Sequence, residues 1–213
     1  MYQIINDNIS LVLKGINSRS DIEPYMNLKK IFEQGDILNN AEYTKMYRRY
    51  WQLNAARLSE SFCVHYFQIL ENCRVEKTKD LKIIVKELYD VSSNAKGHKK
   101  LQFSFATKLL HTLDNKLPIY DSMVSDFYFL PEIKSTWNFD KKLSMYLNSY
   151  DFLQNEYRRV LNNNILLHAI KEFRKYFEID ESYTDYKIVD TLLWKFTSIL
   201  RNGAIMNGKI NYN

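Results

Sequence analysis

Two side chains in the stretch LQFSFATKLLHTLDNKLPIYDSMV, residues 101–124, are of types that act on sugars and carbonyls: Lys108 and Asp121. Near the start of a helix, the dipole and desolvation both work against a charged lysine, which favours the neutral amine that an imine-forming nucleophile needs. An aspartate that opens a helix is held rigid by the amides it caps, and a carboxylate fixed in that way stabilises developing positive charge or accepts a proton. Each residue also has a plainer reading. Lys108 can be a surface side chain reaching across its helix, and Asp121 a helix cap with no further task.

Both must be positioned by helices. Ser104 is expected to cap a helix running from Phe105 to about Leu113, with Leu109, Leu110 and Leu113 turned inward. Pro118 and Ile119 set up the entry to a second helix, which Asp121 opens and Pro131 ends. Upstream, residues 78–89 read as a basic amphipathic helix, with Leu81, Ile84, Val85 and Leu88 on one face and Lys82 and Lys86 on another. The segment VSSNAKGHKK then breaks it with serines, an asparagine and Gly97.

The remaining pattern is helical almost throughout. The first twenty residues read as a short helix or an extended arm, and 24–34 as a helix closed by Gly35. Apolar residues from Tyr43 to Ile69 recur at steps of three and four, which predicts one long helix over 42–70 with His65 in its stripe and Asn54 as its polar interruption. Asp140 is expected to cap a helix through about Leu161; helices over 165–177 and 184–200 follow, the last stopped by Gly203. The expected fold is therefore all-α: a single domain, 1–213, of about seven helices, able to divide into two lobes around a cleft, with a hairpin-like segment at 92–130.

Charge is distributed unevenly. Residues 1–73 carry eight basic and eight acidic side chains, and 109–213 carry thirteen of each, so the net charge of +5 arises in 74–108. There Arg74, Lys77, Lys79, Lys82, Lys86, Lys96, Lys99, Lys100 and Lys108 face four acidic groups. A local field of that sign suits a phosphate backbone. Cys63 and Cys73 form no CxxC, the four histidines (His65, His98, His111, His168) are scattered, and carboxylates form no magnesium-binding cluster. No metal or cofactor is expected. The amino terminus has no basic region followed by an apolar run, and no apolar stretch is long enough for a membrane span, so a cytoplasmic protein is the expectation.

The order of elements, a turn, a helix with Lys108, then Pro118-Ile119-Tyr120-Asp121 opening another helix, resembles the helix-hairpin-helix DNA glycosylase superfamily, in particular the 8-oxoguanine glycosylase-like branch and its compact bacterial members. Lys187-Ile188-Val189-Asp190-Thr191-Leu192-Leu193-Trp194 resembles their closing helix, although by pattern alone it is a core helix with Trp194 packed inside. The resemblance implies Asp121 as the catalytic carboxylate and Lys108 as a Schiff-base nucleophile. It further implies that duplex DNA is held by the hairpin and a damaged base is flipped into the cleft. The family pattern L-x-G-V-G-x-K is altered here, with Ser104 and Ala106 at the glycine positions and no cysteine quartet for an iron–sulfur cluster. Lys82, Lys86, Lys96, His98, Lys99, Lys100 and Ser104 are then the expected DNA contacts. Phe103, Phe105, Tyr120 and Trp137 are the expected stacking residues. A DNA-binding protein without the chemistry, and a helical module whose tyrosine-rich faces meet a protein partner, are the alternatives.

Overall fold

The computed structural model describes residues 1–94, 97–202, 205–206 and 209–210. The protein is all-α. Its helices are α1 Tyr2–Asp7, α2 Ile9–Lys14, α3 Glu23–Gln34, α4 Ala41–Tyr50, α5 Glu60–Glu76, α6 Leu81–Asp90, α7 Phe103–Leu113, α8 Ser122–Phe127, α9 Phe139–Asn162, α10 Leu167–Phe177 and α11 Asp185–Arg201. A π-helical turn, Ser18–Ile22, precedes α3, and β1 Ile205–Met206 pairs antiparallel with β2 Lys209–Ile210. Among the described residues no helix is long and apolar enough to cross a membrane.

Among the described residues there are eleven helices rather than about seven; the predicted helix over 42–70 is two, and the first residues form two more. Leu53 N–H donates to the Arg48 carbonyl (2.9 Å) and Gln52 N–H to that of Arg49 (3.3 Å), with Gln52 at φ +65°. That is a Schellman closure, and the buried Leu53 completes it. Ser59 then starts α5 by accepting from Phe62 N–H. The same left-handed ending recurs in this glycine-poor chain: Lys77, Phe129, Asn164 and Glu178 all have φ between +52° and +57°. In each case the next residue donates five positions back, Thr78 to Cys73, Leu130 to Ser125, Ile165 to Val160 and Ile179 to Arg174. Gly35, at φ +85°, closes α3 as expected.

Other boundaries move for local reasons. The first residues form two short helices rather than an extended arm. Helix α7 begins at Phe103 with Gln102 as its N-cap, so Ser104 lies inside the first turn and caps nothing. The start of α9 is capped by Asn138, whose side chain accepts from Lys141 N–H (2.9 Å), and Asp140 falls within its first turn. Gly203, expected to stop α11, lies outside the described residues.

The chain, expected as a single domain able to divide into two lobes, clusters into two compact units: a terminal unit of 1–18, 115–137 and 144–213, and an inner unit of 19–114 and 138–143. The inner unit packs α3 on α4 and α5 on α6 and α7 around an aromatic core of Tyr43, Tyr47, Phe62, Tyr66 and Phe103. Its phenols are joined: Tyr47 Oη lies 2.9 Å from Tyr66 Oη, which donates to the Phe105 carbonyl (3.0 Å). The abundance of tyrosine is in good part a core property, since Tyr43, Tyr47, Tyr66, Tyr157 and Tyr183 are fully buried. In the terminal unit α11 is the central element, with α2, α8 and α10 packed on it through Leu192, Leu193, Phe196 and Ile199. Trp194, expected inside, is 40% exposed, because it stands on an arc of α11 turned away from that packing.

Candidate nucleic-acid interface

The two residues with chemistry in their side chains are both engaged. Lys108, half-buried on α7, donates from Nζ to the Trp51 carbonyl (3.1 Å) and lies over the Phe105 ring, 4.9 Å from its centroid. Trp51 ends α4, where unpaired carbonyls and the negative end of the dipole favour a cation. Lys108 therefore ties α7 to the end of α4. Asp121 is the N-cap of α8 and accepts from Val124 N–H through Oδ1 (2.9 Å). It belongs to the terminal unit and Lys108 to the inner one.

Most of the expected stacking residues are core residues. Phe103 and Phe105 are buried in the inner unit because they begin a helix whose inward face they extend. Tyr120 is buried in the terminal unit, edge-on to Tyr146 at 5.4 Å, and burial pushes its phenol up. None of the three offers a ring face to a base. Trp137 is half-buried in the connection before α9. Ser104 is half-buried, and its carbonyl accepts from Thr107 Oγ1.

The basic residues, in contrast, are displayed. Asp80 caps α6 through Ile83 N–H, which fixes the register that buries Leu81, Ile84, Val85 and Leu88 and leaves Lys82 and Lys86 outward. After α6 the chain turns back on itself, with Ser93 N–H donating to the His98 carbonyl (2.9 Å) and Gly97 at φ +77° donating to the Asn94 carbonyl (3.1 Å). Ser93 Oγ also accepts from Lys100 N–H (3.2 Å). The turn is latched to the start of α5, where Ser59 N–H donates to the Ser93 carbonyl (3.0 Å) and Ser59 Oγ to the Ser92 carbonyl (2.8 Å). His98, Lys99 and Lys100 are exposed on this turn; Lys96 lies outside the described residues.

Acidic groups neutralise only part of this surface. Arg74 pairs with Glu71, Lys79 with Asp114 (3.0 Å) and Lys99 with Asp90 (3.6 Å). The hydrogen bonds from Arg74 hold the Glu71 carboxyl below its ordinary range. Lys77, Lys82, Lys86 and Lys100 have no acidic partner among the described residues. Sequence reasoning missed the pairing of Tyr89 with Phe139 beside this turn, at 4.3 Å between ring centroids; nothing in the spacing of two residues so far apart in the chain signals it. Among the described residues no three histidine, cysteine, aspartate or glutamate side chains are placed to hold a metal ion. Cys63 and Cys73 are buried free thiols, and burial pushes both up.

No family model, curated protein or solved structure matches the chain. The chain is all-helical, and its inner unit carries the basic stretch 74–108.

Proposed function

We propose that this protein binds DNA through its phosphates, using α6 and the turn that follows, without excising a base. The observation that carries the reading is the set of exposed lysines, Lys77, Lys82, Lys86 and Lys100, that form no ion pair among the described residues, in a stretch with nine basic and four acidic groups. Adjacent like charges cost the fold free energy by mutual repulsion, and a polyanion removes that cost while releasing its counterions. The turn is hydrogen-bonded to α5, so the backbone that carries Lys99 and Lys100 is ordered before binding. Lys108 and Asp121 are each engaged in ending or starting a helix, which supports binding over catalysis.

The test is the salt dependence of binding to a DNA duplex. With Lys82, Lys86 and Lys100 all changed to Gln, the slope of log affinity against log salt should become shallower by about 0.9 for each phosphate that is no longer neutralised. Base release from a duplex carrying 8-oxoguanine opposite cytosine, abolished in Asp121→Asn and with borohydride trapping abolished in Lys108→Ala, would replace this reading with glycosylase activity. Failure of the wild-type protein to bind DNA would leave a protein partner as the reading to pursue.

A further inference from the structure

We infer that Tyr89 and Phe139 form a stacking platform for an unpaired DNA base, beside the lysines that hold the backbone. The inference rests on the DNA-binding reading and names the class of DNA: single strands, or duplexes with an unpaired nucleotide.

Tyr89 is the penultimate residue of α6, Phe139 is the first residue of α9, and both belong to the inner unit. Each is half-buried, their centroids are 4.3 Å apart and their planes meet at 39°. Two rings that fix each other's planes in this way lose little freedom when a third ring is added. The cation-rich turn reaches the same place. Lys99 Nζ lies 5.8 Å from the Tyr89 centroid and 3.6 Å from Asp90 Oδ1.

That placement is weakly held. The Asp90 side chain is 75% exposed and that of Lys99 47%, so their ion pair is screened by water, and 5.8 Å is near the outer limit of a cation–π contact. A base arriving on Tyr89 displaces Lys99 from the ring. The freed ammonium then meets the phosphate of the same nucleotide, with His98 and Lys100 next to it in the chain. Aromatic stacking beside a basic track is how proteins hold unpaired nucleotides with little regard to sequence. A base inside a duplex shows no face to such a platform, so the lysines serve both forms of DNA and the rings only one.

Fluorescence anisotropy with labelled oligothymidylate and with a blunt duplex of equal length separates these contributions. Tyr89→Leu keeps an apolar side chain but removes the π-face, and should weaken oligothymidylate binding about tenfold while leaving the duplex unchanged. Tyr89→Phe should bind both as the wild type does. Unchanged melting temperatures in both variants certify the fold. Equal weakening on both DNAs, or no weakening on oligothymidylate while the Lys82, Lys86 and Lys100 triple variant still reduces it, would overturn the platform and leave the DNA-binding reading standing. If the triple variant weakens neither DNA, both fail.

Discussion

In the terminal unit two ion pairs join elements, Arg201 of α11 with Asp126 of α8 and Arg174 of α10 with Asp185 of α11, while Arg159 holds Glu156 within α9. Lys187 and Asp190 even form a pair inside the unit, 2.7 Å apart, with side chains 5% and 10% exposed. The α6 side of the inner unit differs, setting Lys82, Lys86 and Lys100 in water without an ion pair among the described residues. Charges that join two elements are explained by the fold. Lysines without an ion pair on α6 and on the turn after it are not, and this contrast directs attention to a ligand.

The contrast is tested most severely at Asp190. In Asp190→Ala a buried ammonium is left without its carboxylate, and urea unfolding should show a destabilisation of about 3–5 kcal/mol, mostly regained by the double variant Lys187→Met, Asp190→Leu. A change as small as that of a surface pair would erase the distinction between the units. Phe129 allows a second test, of how the terminal unit ends its helices. It is 82% exposed at φ +52°, in the position of a Schellman closure where glycine is favoured, so Phe129→Gly should stabilise the protein by about 1 kcal/mol in the same assay.

The smallest effect concerns Glu71 in the inner unit. Because its folded-state carboxyl is lowered by Arg74, its contribution is complete above the unfolded value of about 4.3 and disappears as pH falls through the lower folded one. In Glu71→Gln the stability profile should lack this acid-side decline. A decline that persists unchanged would assign it to other carboxylates.

What can be read from the sequence follows from what determines each feature. Helical spacing of apolar residues is enough for the fold class and the buried face of α6, and the Pro118-Ile119 entry for Asp121 as a cap, since all three depend on near neighbours. The break after α4 is invisible because Gln52 takes the place where a glycine would have announced it. Phe103 and Phe105 mislead for a different reason: an aromatic side chain looks the same in sequence whether it faces a base or the core, and only α5 packing on α7 decides. The partner of Lys108, the carbonyl of Trp51, is a main-chain atom, and residue types carry no trace of it.

Ser59 is bound in three directions at once, to Phe62 N–H in α5 and to the carbonyls of Ser92 and Ser93 in the basic turn. Fraying of the first turn of α5 and opening of the basic turn are therefore one motion sharing a single residue, and the amides protected by either should exchange with solvent together. A DNA strand that steadies the turn would, through this serine, slow the breathing of a helix it never touches.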